Sequence, residues 1–151
     1  MGATPSNDLR QGSGSTFAPL TAARTSIVVK VPVERAYQQW ARVEDLPRFI
    51  TPVRNVRRID ECQFSYSWLA NGAESKGVLQ ILLQIPGRRI AWRALSNALM
   101  SGVVSFEPHS KQETEVTLKI RSVFDLQKLS VKLEEYLGNF KRLVEDEHAT
   151  K

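Results

Sequence analysis

The chain has 151 residues, of which 42% are hydrophobic and 25% are charged, a composition typical of one globular domain. Eight glycines and seven prolines exclude a collagen-like or low-complexity chain. The longest apolar run, Val78 to Ile85, contains Gln80 and Gln84 and is far shorter than the roughly 20 residues of a transmembrane helix. The net charge of +5 favours acidic partners but falls short of the clustered charge of a nucleic-acid-binding protein.

The cysteine and histidine content argues against disulfides and metal sites. The single cysteine, Cys62, cannot form an intrachain disulfide, and His109 and His148 do not complete a zinc-site spacing with it. The sequence contains no phosphate loop and no nucleophile elbow. We therefore expect neither a metal nor another cofactor. The N-terminal segment does not have the apolar stretch of a secretory signal, so a cytoplasmic location is expected.

Composition divides the chain into a domain and two tails. Residues 1–24 have few large apolar side chains to offset the entropy of ordering, so they are predicted to form a flexible tail. The domain is predicted to span residues 25–147. Residues 148–151 form a second short tail.

The first elements of the domain are a strand and two short helices. Residues 26–31 are β-branched and alternate, which predicts a strand that ends at Pro32. Apolar residues at helical spacing over residues 33–42 predict an amphipathic helix. Residues 43–50 predict a second helix of a single turn.

From Val53 to Phe124 the hydrophobic period is two, which predicts a meander of about six antiparallel strands. Its clearest turns are Asn71-Gly72 and Pro86-Gly87. The alternation does not decide whether Ile90 and Trp92 or Arg93 face inward.

A long amphipathic helix over residues 125–147 is predicted to end the domain, although Gly138 inside it should cost about 1 kcal/mol relative to alanine. This order of elements predicts a two-layer α+β domain. Because a twisted seven-stranded sheet curves, a cavity lined by aromatic and aliphatic residues is expected between the sheet and the long helix.

Seven segments occur in an order and at a spacing that match a known superfamily. They are Ile27 to Pro32, Tyr37 with Trp40, Glu44 to Phe49, Arg89 to Arg93, Gly102 to Pro108, Thr114 to Leu118 and Leu133 to Leu143. Together they cover about residues 25–147 and resemble the polyketide cyclase/dehydrase branch of the START-like (SRPBCC, helix-grip) superfamily, including its coenzyme-Q-binding-like members.

The resemblance implies a helix-grip fold, in which a seven-stranded curved antiparallel sheet wraps around a long C-terminal helix and two short helices follow the first strand. It also implies a cavity for a hydrophobic ligand under the last helix, as in lipid-transfer domains, coenzyme-Q-binding proteins and aromatase/cyclases. Fold analogy does not name the ligand.

The candidate ligand-binding residues are mostly aromatic and aliphatic, and no catalytic residue is assigned. They are Trp40, Phe49, Tyr66, Trp68, Leu79, Ile81, Leu83, Arg93, Phe106, Tyr136 and Phe140. Arg93 fits either a pocket arginine or a strand residue on the solvated face.

Three functions are compatible with this sequence. The first is non-catalytic binding of a lipid, quinone or polyketide by a carrier, sensor or chaperone. The second is an aromatase/cyclase or dehydratase that acts in the same cavity. The third is a protein-interaction module with a filled core.

The expected partner is a small hydrophobic ligand rather than nucleic acid. Eight arginines fall within residues 42–58 and 88–93. If they met at the cavity mouth, they would favour peripheral contact with an acidic membrane surface or an anionic lipid, whereas scattered, solvated arginines are the simpler interpretation. The sequence does not indicate an oligomeric state.

Overall fold

The computed structural model describes residues 21–70, 72–95, 100–122 and 126–149. Seven strands form one antiparallel sheet in the order β1-β7-β6-β5-β4-β3-β2. The strands are β1 (Thr21–Val29), β2 (Val53–Arg58), β3 (Gln63–Ala70), β4 (Ala73–Ile85), β5 (Arg89–Ala94), β6 (Ser101–Ser110) and β7 (Glu113–Ser122). Helix α1 (Val33–Ala41) and a 3-10 helix (Val43–Arg48) follow β1, and helix α2 (Leu126–Ala149) ends the domain. This arrangement confirms the predicted α+β helix-grip fold.

The first strand begins earlier than the sequence predicts. It pairs with β7 from Thr21 to Val29, so four residues assigned to the flexible tail extend the β1–β7 ladder. Ala23 is buried in this ladder, so an inward position of the strand is occupied here by a small side chain rather than by a β-branched one. The last helix continues to Ala149, two residues beyond the predicted limit, and Gly138 does not interrupt it. Asp125, the first residue of the predicted helix, lies outside the described residues.

Turns and bulges set which side chains face inward. Between β4 and β5, the Arg88 amide donates to the Ile85 carbonyl over 2.9 Å and Gly87 has a φ of 73°, as expected for a turn with glycine after proline. Gly72 also has a positive φ of 76°, whereas Asn71 lies outside the described residues. The register of β4 against β5 shifts between Ile81 and Leu83. Because a bulge adds one residue to a strand, it moves the following side chains to the opposite face.

Helix α2 is fixed to β1 and to the end of the 3-10 helix by hydrogen bonds as well as by apolar packing. The Asn139 amide donates to the Phe49 carbonyl over 3.1 Å, and the Lys141 ammonium donates to the Val28 carbonyl over 2.9 Å. Phe140, Leu137 and Val144 are almost completely buried. The C-terminal half of the helix therefore packs tightly on the sheet.

An ion-pair network joins the C-terminal end of α2 to both short helices. Arg35 and Arg48 bind the two carboxylate oxygens of Glu147 over 2.6 and 2.7 Å. Arg35 also donates to Gln39, which is fully buried and donates in turn to Asp45. These contacts hold the short helices over one end of the concave face. None of the helices in the described ranges is long and apolar enough to cross a membrane.

Candidate functional site

A cavity of about 120 Å³ lies between the concave face of the sheet, the short helices and helix α2. The side chains around it are apolar except for two tyrosine hydroxyls and the indole N–H groups. They are Trp40, Val43, Leu46, Ile50, Val53, Val56, Phe64, Tyr66, Trp68, Leu79, Ile81, Ile90, Trp92, Ala94, Met100, Leu118, Ile120, Leu129, Leu133 and Tyr136. All three tryptophans of the chain are in this set.

Strand register explains why the sheet contributes apolar groups to the cavity. Cα partners on neighbouring strands place their side chains on the same face of a sheet. One such row runs from Ile81 through Trp92 and Gly102 to Ile120. Ile90 and Ala94, the other inward residues of β5, are almost fully buried. The structure thus settles the orientation of β5, with Ile90 and Trp92 inward.

Gly102 makes room for the indole ring that lines the sheet side of the cavity. A Cβ atom at this position would lie 2.4 Å from Cζ2 of Trp92 and 2.7 Å from Cδ1 of Ile120. Both distances are too short for carbon atoms, so the bare backbone of β6 is what allows Trp92 to lie across it.

The wall opposite the sheet is built on Trp40 of helix α1. Its ring centroid lies 4.9 Å from that of Phe49 and 5.2 Å from that of Phe140, and the two phenylalanines are 5.1 Å apart. Trp40 also stacks on Trp92 at 6.4 Å. Such aromatic pairs favour fixed ring orientations, so this cluster holds Trp40 in place as a wall.

Tyr66 and Tyr136 provide the polar groups of the cavity. Burial raises the pKa of both phenols, and Glu135 adds to the effect at Tyr136, whose pKa rises to about 12. Both phenols are therefore protonated at neutral pH and able to donate a hydrogen bond. Neither hydroxyl is bonded to another described residue. The described lining includes no aspartate, glutamate, histidine, lysine or arginine.

The structure brings six of the eleven candidate residues to the cavity, namely Trp40, Tyr66, Trp68, Leu79, Ile81 and Tyr136. Three others lie in the core and do not line the cavity. Phe49 and Phe140 pack behind Trp40, and Phe106 lies edge-on to Tyr37 with ring centroids 5.6 Å apart. Their aromatic character is explained by core packing.

Two candidates face away from the cavity. The bulge after Ile81 turns Leu83 outward, where its exposed fraction is 43%. Arg93 is also exposed, and its Nε donates to Oε1 of Gln80 over 3.0 Å on the outer face of the sheet. The prediction that these two residues line the cavity is therefore wrong. A bulge cannot be read from simple alternation, and Arg93 is the solvated strand residue.

Sequence reasoning missed most of the lining supplied by the short helices and by α2. Val43, Leu46 and Ile50 come from the 3-10 helix and the turn after it, and Leu129 and Leu133 come from α2. The helical spacing of these residues was the only feature of the sequence that pointed to them. It identified apolar faces but could not separate residues next to the cavity from residues in the filled core.

The arginines do not gather at one cavity mouth. The Arg58 guanidinium lies 4.7 Å from the centroid of the Phe64 ring and 3.9 Å from Glu44. Arg88 and Arg89 instead line a groove on the outer face of the sheet. The sheet separates this groove from the cavity.

One group of side chains with metal-ligand chemistry occurs in the described ranges, although none was expected. Glu107, His109 and Glu115 bring ligand atoms within 4.8 Å of one another on the β6–β7 hairpin. Nε2 of His109 lies 2.9 Å from Oε1 of Glu115. This hydrogen-bonded pair accounts for the close approach, and the group lies outside the apolar cavity.

Comparisons with known proteins agree with this architecture. The family profile described as "Polyketide cyclase / dehydrase and lipid transport" matches residues 29–148. The chain is 30% identical over 124 residues to the "Uncharacterized 17.2 kDa protein in melC2-rnhH intergenic region" of Streptomyces lincolnensis, covering 82% of this chain and 81% of the relative.

Several solved structures are similar as well. DR_A0006 from Deinococcus radiodurans has a TM-score of 0.68 and 28% identity, covering 83% of this chain and 98% of its own. The Zhui aromatase/cyclase from Streptomyces sp. R1128 has a TM-score of 0.65 and 16% identity, covering 85% and 93%, and at that identity it supports the fold alone. By the extent of the profile match, the chain belongs to the polyketide cyclase/dehydrase and lipid transport family.

Proposed function

We propose that the protein binds a small hydrophobic or amphipathic molecule in the cavity between sheet and helix, as a carrier, sensor or chaperone, without covalent chemistry. The observation that carries this proposal is the lining itself. It combines a nearly continuous apolar surface with the hydroxyls of Tyr66 and Tyr136, which have no partner in the described part of the chain. Apolar walls and a few polar groups are the usual composition of a small-molecule site.

The cavity volume limits what fits without movement. Apolar cavities of about 150 Å³ stay dry and take up guests the size of benzene, whereas drug-sized ligands occupy about 300–1,000 Å³. The cavity of about 120 Å³ therefore holds one ring or a short alkyl segment. A complete lipid, quinone or polyketide requires side chains of the wall to move. Met100 is suited to this because its unbranched side chain has three rotatable bonds.

Enzymatic cyclisation or dehydration is the second candidate, and it would depend on the same two hydroxyls. A protonated phenol can donate to a carbonyl oxygen of a polyketone, but general base catalysis needs a group that accepts a proton near neutral pH. Burial raises the pKa of both phenols, to about 12 at Tyr136, so neither is suited to that role, and the described lining contains no titratable side chain besides Tyr66 and Tyr136. Binding without chemistry is therefore the better-supported function.

The proposal is tested by native mass spectrometry of gently purified protein and of two matched variants. Ala94 faces the cavity and Ala91 faces outward on the same strand, so Ala94→Leu fills the cavity while Ala91→Leu does not. We expect a neutral guest bound to the parent protein and to Ala91→Leu, and much less of it bound to Ala94→Leu. Both variants are first checked for native circular dichroism.

Calorimetric titration with p-cresol, a neutral single-ring compound with one hydroxyl group, covers the case in which no guest survives purification. Binding that Ala94→Leu weakens and Ala91→Leu leaves unchanged supports the proposal. If no guest is bound and p-cresol does not bind to the parent protein, the proposal is wrong and an interaction module with a filled core becomes the better interpretation. Conversion of a polyketone substrate by the purified protein would favour the enzymatic alternative.

A further inference from the structure

A second concave site lies on the outer face of the sheet, where a groove of about 420 Å³ is lined mainly by basic and hydroxyl side chains. The sheet separates it from the apolar cavity. We propose that this groove binds a small anion with two or three linked phosphate groups, either free or as part of a nucleotide. Its basic residues are Arg24, Arg88, Arg89 and Lys119. The proposal does not depend on what occupies the apolar cavity.

Strand pairing brings these residues together although they are far apart in the sequence. One row of Cα partners on this face runs from Arg89 through Ser105 to Thr117. The next row of the same face includes Lys119 and Arg24, which are direct partners on β7 and β1. Side chains two residues apart on a strand lie on the same face, so the two rows present their polar groups to one groove.

The direct pairing of Arg24 with Lys119 is unfavourable unless an anion lies nearby. Like charges opposite each other on neighbouring strands destabilise a sheet. Neither of them forms an ion pair or a side-chain hydrogen bond within residues 21–70, 72–95, 100–122 and 126–149, and the same is true of the Arg88 and Arg89 side chains. Arg35 and Arg48, by contrast, are both paired with Glu147. The groove therefore holds four basic groups that a bound anion would neutralise.

The acidic residues of the groove do not cancel this charge. Glu107 and Glu115 are direct partners at one end of it, and Glu115 is already bonded to His109. The opposite end and the two sides carry the basic groups. The charge is thus divided along the groove, which favours a ligand whose anionic groups lie together at one end of the molecule.

Spacing favours several linked phosphates over a single one. Arg89 on β5 and Arg24 on β1 are three strands apart, which is about 14 Å between backbones at the usual strand separation. A di- or triphosphate can contact more of the side chains along that width than one phosphate ion can. Guanidinium groups bind phosphate oxygens through two parallel hydrogen bonds, and the Ser105 hydroxyl supplies a further donor. The volume falls within the range of small-molecule sites.

Calorimetric titration with sodium triphosphate at constant ionic strength tests this inference. We expect saturable binding to the parent protein and binding weakened about tenfold or more by Arg89→Gln or Lys119→Gln, because each removes a charged hydrogen-bond donor. Arg57→Gln serves as the matched control, since Arg57 is an exposed arginine of β2 at the far edge of the sheet. It should leave the affinity unchanged. All these residues are at the surface, and circular dichroism checks that each variant is folded.

Further titrations separate the sources of the phosphate chain. Tighter binding of ADP or ATP than of triphosphate assigns the groove to a nucleotide, and equal or weaker binding assigns it to the phosphate chain alone. Absence of triphosphate and nucleotide binding overturns the inference. Flotation with phosphatidylglycerol vesicles that requires Arg89 and Lys119, while triphosphate does not bind, also overturns it and assigns the face to a membrane surface.

Discussion

The Cβ position of Gly102 lies 2.4 Å from Cζ2 of Trp92, so the indole ring occupies the space that any larger residue on β6 would need. The two residues are Cα partners on neighbouring strands. We expect Gly102→Ala to push Trp92 and Ile120 toward the cavity and to lower the free energy of unfolding by about 1–3 kcal/mol, as overpacking does. Urea denaturation measures the loss, and tryptophan fluorescence reports the displaced ring. An unchanged unfolding midpoint would show that the ring moves away freely.

The same substitution at Gly138 should have the opposite sign. Gly138 lies within helix α2, and a Cβ atom there would meet only the Arg142 guanidinium, at an ordinary distance of 3.8 Å. Because alanine has the higher helix propensity, Gly138→Ala should raise the free energy of unfolding by about 0.5–1 kcal/mol. Urea denaturation of the two glycine variants side by side is the measurement. Destabilisation by Gly138→Ala would mean that α2 needs a glycine for close packing.

Phe140 supports the cavity wall from behind. Its side chain is completely buried and contacts both Trp40 and Phe49. We expect Phe140→Ala to lower the free energy of unfolding by about 3–5 kcal/mol because it leaves a void in the core. Val131→Ala is the control on the same helix, since 62% of Val131 is exposed, and it should change stability by less than about 0.5 kcal/mol. A loss below 1 kcal/mol at Phe140 would contradict the described packing.

The fold could be predicted from the sequence because its elements have strong periods and clear boundaries. The apolar stripe on α2 and the alternation on β7 are long enough to be distinguished from chance. The Pro86-Gly87 turn was predictable because the ring of proline fixes its φ and glycine accepts a positive φ. The start of β1 was less predictable, since Thr21 and Ala23 are ordered by pairing with β7 rather than by their own propensity.

The candidate site was harder to predict than the fold. Periodicity shows that a side chain points inward, as for Trp40 and Phe140, but not whether the space before it is filled. Phe140 meets other rings, whereas Trp40 also borders the cavity. The prediction that Leu83 lines the cavity is wrong for another reason. The bulge that turns it outward depends on how β4 pairs with β5, and a single sequence does not contain that register.

Tyr136 should make the protein less stable at alkaline pH. Burial, with a contribution from Glu135, raises the pKa of its phenol from 10.0 to about 12 in the folded state. The folded state thus favours the protonated form. The resulting stability is complete below the ordinary pKa and is lost as the pH rises through the folded-state value. Tyr136→Phe should flatten this part of a plot of unfolding free energy against pH and change stability little at pH 7.

Ultraviolet titration of the phenols checks the same assignment. The parent protein should show a tyrosine ionisation step near pH 12, and Tyr136→Phe should remove that step. Tyr37→Phe is the control, because Tyr37 lies in the core beside Phe106 and does not line the cavity. Loss of the step in Tyr37→Phe alone would contradict the assignment to Tyr136.

Glu147 should contribute stability at neutral pH that disappears in acid. The hydrogen bond from Arg48 has the largest effect and lowers the pKa of its carboxyl group. Burial opposes this by raising the pKa, and the charges of Arg48, Arg35 and Arg42 lower it further. Because the folded-state pKa is lower than the ordinary value of 4.5, the stabilisation is present above that value and is lost as the pH falls through the folded-state pKa.

Glu147→Gln should cost about 1 kcal/mol or less at pH 7, since the carboxylate is partly exposed. Urea denaturation at several pH values should show this difference vanishing in acid, and Glu134→Gln, an exposed substitution on the same helix, is the matched control. A deficit in Glu147→Gln that persists unchanged in acid would mean that the side chain stabilises α2 by packing rather than by its charge.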